Sequence, residues 1–220
     1  MEKRQNPRVP ASHLILLVGI AVVLAWSAWK PYDRLTWWLE VFPALVALVI
    51  LPATYRRFEF TTLTYTLIAL HMCVLFAGGH YTYARVPLFD WFRPVFGWHR
   101  NHYDRLGHIM QGFVPAIIAR EVFMRLQVLK RTRWQSFLIV CICLAISAFY
   151  ELIEWWTALL SGAAAISFLG TQGDPWDTQE DMFCALLGAI AAIVLLSKIH
   201  DRAISRVSAR NSTEGCPPNI

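Results

Sequence analysis

The feature that most constrains this chain is a series of six apolar stretches, each near the length that crosses a lipid bilayer. They run over residues 14–29, 35–53, 61–78, 106–119, 134–156 and 182–199. A helix needs about 20 residues to cross the hydrocarbon core, with a range of roughly 17 to 25. Since 56% of the residues are hydrophobic and only 16% are charged, the composition excludes a soluble domain. We predict an all-α, polytopic membrane helix bundle with about six transmembrane helices.

Three segments depart from the simple pattern. The first stretch is short, and Arg120 and Glu121 interrupt the fourth unless its helix continues toward Leu129. Residues 159–169 are apolar but too short to cross, so we expect an interfacial or re-entrant segment there. Six crossings is the count that fits the pattern best.

The Lys and Arg residues between the stretches predict the orientation of the bundle, because such residues concentrate in cytoplasmic loops. Fourteen of the 20 lie in the N-terminus, the second loop, the fourth loop and the tail, and six lie in the other loops. We therefore expect both termini in the cytoplasm of a bacterium, with the bundle in its inner membrane. Residues 1–13 would form the N-terminus, 14–199 the six-helix domain and 200–220 a basic, disordered tail. The net charge of +5 fits a basic fringe against anionic lipid and does not indicate nucleic-acid binding.

Ionisable residues recur at the ends of three apolar stretches, and the predicted topology puts them all on the non-cytoplasmic side. They are Asp104 with His108, Glu151 with Glu154, and Asp177 with Asp181. Residues four apart share one face of a helix, and the face of Asp181 continues through Cys184 and Gly188, small residues that allow close helix packing. Ionisable groups against a bilayer are costly and normally face the bundle interior. The sequence therefore predicts one composite site.

The acids on this side outnumber the arginines that could neutralise them. The acids are Asp104, Glu151, Glu154, Asp174, Asp177, Glu180 and Asp181, and the arginines are Arg85, Arg93, Arg100 and Arg105. A buried carboxylate whose charge is not neutralised forms an ion pair, binds a cation or takes up a proton. A divalent metal would satisfy the excess, with Asp104, His108, Glu151, Asp177 and Asp181 as predicted ligands. Mixed carboxylate and imidazole ligands suit zinc, manganese or iron, whereas an all-oxygen subset suits calcium or magnesium.

Each cluster also has an ordinary structural explanation. Asp104 can cap the start of its helix while His108 hydrogen-bonds a neighbouring span. Glu154 can lie in the solvated interface beside Trp155 and Trp156, and Asp177 can cap the last span. Taken singly, the clusters are adequately explained in this way.

Two classes of function stay open. The first is a metal-dependent enzyme that acts on a lipid or lipid-linked envelope substrate, with Glu154 as general base and Arg105 in the catalytic group. The second is a non-catalytic carrier or binding protein, in which the acids and Arg105 form a proton- or cation-coupled pocket.

Three segments of the sequence resemble the YjdF family of bacterial inner-membrane proteins. They are residues 101–108 (Asn-His-Tyr-Asp-Arg-Leu-Gly-His), 150–155 (Tyr-Glu-Leu-Ile-Glu-Trp) and 172–182 (Gln-Gly-Asp-Pro-Trp-Asp-Thr-Gln-Glu-Asp-Met). The resemblance runs from about the second span to the sixth and implies the location and the helical fold, whereas the function of that family is unknown. Residues 104–108 and the pair Asp177 and Asp181 also resemble VanZ-like membrane proteins, although Glu151 and Glu154 stand where that group has Asp-Glu followed by Gln.

Overall fold

The described part of the chain forms a bundle of six long helices with one short helix on its edge. The computed structural model describes residues 9–129, 133–161 and 171–213, and the regular secondary structure in these ranges is helical throughout. The helices are α1 (Ala11–Ala28), α2 (Arg34–Thr54), α3 (Thr62–Tyr81), α4 (Pro87–Phe96), α5 (Tyr103–Arg125), α6 (Arg133–Ser161) and α7 (Asp177–Thr213), with a 3-10 turn (Tyr83–Arg85) before α4. The predicted all-α fold is confirmed.

Local sequence explains where several helices begin and end. Asp33 precedes α2 and its carboxylate accepts the N–H of Thr36 at 2.7 Å, which satisfies one of the free donors at a helix start. Thr61 does the same for Thr64 at the start of α3. Gly97 ends α4 in the left-handed region, with φ of 66°, a conformation that glycine adopts without steric cost.

The two larger apolar cores share helix α5. The first core joins α1, α2 and α3 to Val114 of α5, with Val41, Met72 and Phe76 at its centre. The second core joins Ala116 and Ile117 of α5 to side chains of α6 and α7. Helix α5 therefore lies inside the bundle, between two groups of neighbours.

The outer surface of the bundle is apolar, as expected of helices that face lipid. Ile15 on α1, Val49 on α2 and Val194 on α7 are each more than 70% exposed. Among the described residues, five helices are long and apolar enough to cross a membrane, by length and composition: α1, α2, α3, α6 and α7. Together these observations describe a polytopic membrane protein.

Helix α5 does not meet the same compositional criterion. Its 23 residues span about 35 Å at 1.5 Å per residue, enough for a crossing, but it carries Asp104, Arg105, Arg120 and Glu121, all buried. A helix surrounded by protein can hold such residues because its neighbours, and not lipid, contact them. The count of six crossings stays a prediction, with α5 as the sixth.

Helix α7 extends well beyond the expected span of 182–199. It continues through Thr213, so residues 200–213 are helical where the sequence predicted a disordered tail. The physical reason is tertiary contact, because His200 and Ile204 are buried against the rest of the bundle. Of the segment 159–169, residues 159–161 end α6, and the remainder lies outside the described residues.

The two ends of the bundle differ in chemistry. Helices α1, α3 and α6 end where α2, α5 and α7 begin, and we call this the acidic end. Ser27 and Trp37 mark it, since the indole N–H of Trp37 donates to Ser27 Oγ at 2.9 Å, and Ser27 donates to the Phe76 carbonyl at 2.6 Å. The opposite end, which carries the loop from Tyr55 to Phe60, is called the basic end.

Candidate functional site

Side chains from α5, α6, α7 and the 171–176 loop meet at the acidic end. The motif that starts α5 places Asp104 and His108 on one face, and these approach Glu151 of α6 and Asp181 of α7. All four residues are at least nine-tenths buried. The structure thus brings together residues that lie up to 77 positions apart in the sequence.

Two arginines form the upper layer of this cluster. Arg100 contacts Asp177 at 2.5 Å, Asp174 at 3.2 Å and Asp104 at 3.7 Å. Arg105 contacts Asp181 at 2.5 Å, Glu180 at 2.7 Å, Asp177 at 2.8 Å and Asp174 at 3.1 Å. The two guanidinium groups therefore tie the start of α5 to the loop before α7 and to the first turn of α7, through charge-assisted hydrogen bonds.

The loop before α7 is fixed by further hydrogen bonds. Gln172 accepts the N–H of Asn101 at 2.8 Å and donates to the Asn101 carbonyl at 2.9 Å. Asp174 accepts the N–H of Trp176 at 2.9 Å, and this bond, with the adjacent Arg100 and Arg105, holds the pKa of Asp174 below its usual value. Asp174 thus stays ionised and keeps its place in the arginine layer.

His108 lies beneath the arginine layer, among three carboxylates from three helices. Its Nε2 is 3.6 Å from Asp104 Oδ1, 3.7 Å from Glu151 Oε1 and 3.9 Å from Asp181 Oδ1. Asp104, His108 and Asp181 offer ligand atoms within 4.8 Å of one another, and so do His108, Glu151 and Glu154. The imidazole therefore belongs to two overlapping groups that could hold a cation.

Several buried polar atoms in and below this group have no hydrogen-bond partner among the described residues. They are His108 Nδ1, Glu151 Oε1, Ser147 Oγ, Gln111 Oε1 and His71 Nε2. Ser147 and Gln111 lie one turn deeper than Glu151 and His108 on the same two helices. Leaving a buried polar group unpaired costs about 1–3 kcal/mol, so several together indicate a place for a bound ion, water or substrate.

The structure adds Glu40 of α2, which the sequence analysis did not include in the site. Glu40 is buried near the hydroxyls of Tyr83 and Tyr150, and it lies close enough to Asp104 for the two carboxylates to interact electrostatically. The available signal was a single acid in an otherwise apolar span. Its helix begins at the acidic end, so its depth could have been predicted, but its proximity to Asp104 could not.

The predicted site residues separate into two groups. Asp104, His108, Glu151, Glu154 and Asp181 form the cluster around the imidazole. Asp177 and Arg105 lie in the arginine layer, where Asp177 Oδ1 accepts from both guanidinium groups. Asp181 belongs to both, because its Oδ1 also accepts from Arg105 at 2.5 Å.

A second ionic cluster, at the basic end, provides a contrast. Glu121 is fully buried and accepts from Thr61 N–H at 2.8 Å, Thr64 Oγ1 at 2.6 Å, Arg125 at 2.9 Å and His200 at 3.1 Å. Arg120 reaches His200 Nδ1 at 3.1 Å and Asp201 at 2.5 Å. Both oxygens of Glu121 and both nitrogens of His200 have partners, which is typical of a structural network.

Comparison with known proteins agrees with this description. A family model described as "Predicted membrane protein (DUF2238)" matches residues 12–202. The chain is 48% identical over 187 residues to the inner membrane protein YjdF of Escherichia coli (strain K12), covering 85% of this chain and 90% of that protein. No solved structure matches, and the resemblance to VanZ-like proteins is not shown. The family model and the relative each cover most of the chain. The chain therefore belongs to the DUF2238 family of membrane proteins, together with YjdF, and is a multi-pass protein of the inner membrane.

Proposed function

We propose that the acidic end binds a divalent metal ion and uses it to hydrolyse or transfer a group on a lipid or lipid-linked substrate. The observation that supports this most directly is the position of His108 Nε2, 3.6–3.9 Å from three carboxylate oxygens. These separations exceed the roughly 2.7–3.2 Å of a hydrogen bond. Two ligand atoms bound at about 2.0–2.2 Å to a tetrahedral ion lie about 3.3–3.6 Å apart. A small inward movement of each side chain would therefore complete a coordination sphere.

The charge balance also favours a cation. Arg100 and Arg105 together contact Asp104, Asp174, Asp177, Glu180 and Asp181. Glu40, Glu151 and Glu154 have no Lys or Arg partner among the described residues. A buried carboxylate without a counter-ion is strongly unfavourable. One divalent ion beside His108 would offset much of this charge, and a mixed imidazole and carboxylate set suits zinc, manganese or iron.

Each residue takes a definite part in the proposed site. Asp104, His108 and Glu151 would bind the ion directly, and Asp181 would complete the sphere while Arg105 holds its carboxylate in place. Glu154 shares a group with His108 and Glu151 and would accept the proton of a metal-bound water. Asp177 and Arg105, predicted as ligand and catalytic residue, are better suited to position the loop and the start of α7.

The short helix α4 supports a lipid substrate. Trp91 and Val95 on this helix are 80% and 73% exposed, and its apolar face suits the level of lipid head groups. Asn101, next to the arginine layer, donates to the Val86 carbonyl at 2.9 Å and to Asp90 at 3.0 Å. An interfacial helix is thus joined to the mouth of the site, where a lipid head group would arrive.

A carrier of protons or cations is the second candidate. It is favoured by the unpartnered atoms of His71, Gln111 and Ser147, which extend the polar cluster toward the centre of the bundle. In the described part of the chain, however, the next polar group along α5 is the closed network of Glu121. A pocket that ends there fits a binding site reached from the acidic end better than a continuous path.

Both proposals include an orientation. The acidic end would face the periplasm and both termini would lie in the cytoplasm, as the distribution of Lys and Arg predicts. The substrate would then be a lipid or lipid-linked compound of the outer leaflet of the inner membrane.

Metal content tests the proposal directly. The protein would be purified in detergent, stripped with a chelator, incubated with zinc, manganese or iron(II), and analysed by mass spectrometry of the elements. We expect about one ion per chain in the wild type and a loss of at least tenfold in His108→Gln and Glu151→Gln. Asp33→Asn is the matched control, since Asp33 caps α2 at the same end and Asn caps a helix start as well as Asp does. Wild-type protein that binds none of the three metals would refute the site.

A second measurement separates the enzyme from the carrier. Glu154→Gln should retain the metal and lose turnover of inner-membrane lipid extracts, because it removes the proposed base and spares the direct ligands. A carrier would instead show metal or proton flux in proteoliposomes without chemical change in the lipid.

A further inference from the structure

A groove opens between α1 and α2 at the basic end, away from the proposed metal site. Its volume is about 310 Å³. Helix α3 forms the floor through Tyr65, Ile68 and Met72, and α1 and α2 both pack along α3. At the acidic end the two walls are joined by the bond from Trp37 to Ser27. The groove lies between the two helices at the end opposite that junction, where residues of both α1 and α2 line it.

The dimensions of the groove suit one hydrocarbon chain. Its lining covers residues 13–20 of α1, 48–56 at the end of α2 and 65–72 of α3, which is about 10–12 Å along each helix. One leaflet of the hydrocarbon core is about 15 Å deep. The groove therefore follows the helices over most of the depth of one leaflet, parallel to the acyl chains.

The walls are aliphatic, and polar groups lie only at the basic end of the groove. His13 and Tyr55 are hydrogen-bonded to each other at 2.9 Å, and His13 also contacts Thr62 at 3.0 Å. Arg56 is exposed and forms no ion pair with an acid among the described residues. An aliphatic groove with a free guanidinium at its surface end matches an acyl chain below a phosphate, the anion that Arg binds best.

We infer that this groove binds one acyl chain of an anionic phospholipid, with Arg56 in contact with the phosphate. The basic loop places Arg56 and Arg57 together at the surface level, where anionic head groups concentrate cationic side chains. Such a lipid fills the space between α1 and α2 and completes the packing of the first core. The inference is independent of the proposed metal site, which lies at the other end of the bundle.

Native mass spectrometry of the full chain in detergent tests the charged contact. The probes are a phosphatidylglycerol and a phosphatidylcholine with identical acyl chains. We expect the wild type to prefer phosphatidylglycerol and Arg56→Gln to lower that preference about fivefold, the effect of one basic residue at a membrane surface. Arg57→Gln is the matched control, since Arg57 does not line the groove. Equal effects of the two substitutions would overturn the assignment of Arg56.

A second pair of variants tests the groove itself. Leu51→Trp places a large ring in the groove and should reduce bound lipid of both kinds at least tenfold. Val49→Trp places the same ring on the exposed face of α2 and should bind lipid like the wild type. The inference would be overturned if Leu51→Trp bound as much lipid as Val49→Trp. It would also be overturned if the wild type bound no lipid but formed a dimer, and Leu51→Trp abolished that dimer. If Leu51→Trp does not fold, the Arg56 comparison decides alone.

Discussion

Gly112 and Gly188 bring the backbones of α5 and α7 into direct contact, and Gly188→Ala tests what this contact supports. A Cβ at Gly188 would overlap the Ile109 carbonyl oxygen and lie 3.0 Å from its carbon and 3.1 Å from Phe113 N. Ordinary contact begins near 3.4 Å. Because backbone atoms cannot rotate away, the helices must separate by about 1 Å, a gap that loses about half of each dispersion contact.

The expected cost is about 2–3 kcal/mol of the free energy of unfolding, in the upper range for overpacked cores. The same displacement moves Asp181 on α7 away from His108 on α5, already 3.9 Å apart. We therefore also expect metal affinity to fall about 10- to 100-fold, as it does when a residue that orients a metal-binding side chain is removed.

The assay is thermal unfolding in detergent, monitored by circular dichroism, and metal binding is measured in parallel. Gly19→Ala is the matched control, because no atom lies within 4 Å of the Cβ that it adds, and alanine favours a helix by about 1 kcal/mol over glycine. Equal unfolding midpoints for the two variants would refute the backbone contact. A destabilised Gly188→Ala with unchanged metal affinity would refute the link between packing and site.

Two further predictions concern the basic end and the topology. Glu121→Gln should lower the free energy of unfolding by about 2–4 kcal/mol, because the substitution turns into an amide the carboxylate that accepts from Thr61, Thr64, Arg125 and His200. The metal content of the folded protein should not change. An unaltered midpoint of thermal unfolding would contradict the network. A reporter that is active only in the cytoplasm should be active when fused after residue 213, and a reporter that is active only after export should be active in the 171–176 loop. If both positions lie in the same compartment, α7 does not cross the membrane.

Comparison of the two ends of α5 shows what a sequence can predict about a buried charge. The sequence predicted that Asp104 and His108 share a face, because helical spacing alone decides this. It did not predict that Arg100 would contact Asp177, or that Glu151 would have no Lys or Arg partner among the described residues, because these contacts join residues that are far apart in the sequence. The contrast between a closed network at Glu121 and unpartnered atoms around His108 likewise required the contacts between helices.

By itself, the sequence determined the membrane class, the positions of most helices and the side of the bundle to which the acids belong. Length, apolar composition and helical period are local properties, and the bilayer converts them into depth. Only the tertiary structure decided which acids surround His108, which ones the two arginines neutralise, that Glu40 joins them, and that α7 continues to Thr213. The physical reason is that these outcomes depend on the distances between helices, and those distances are set by contacts such as Gly188 against Ile109, which neither period nor composition specifies.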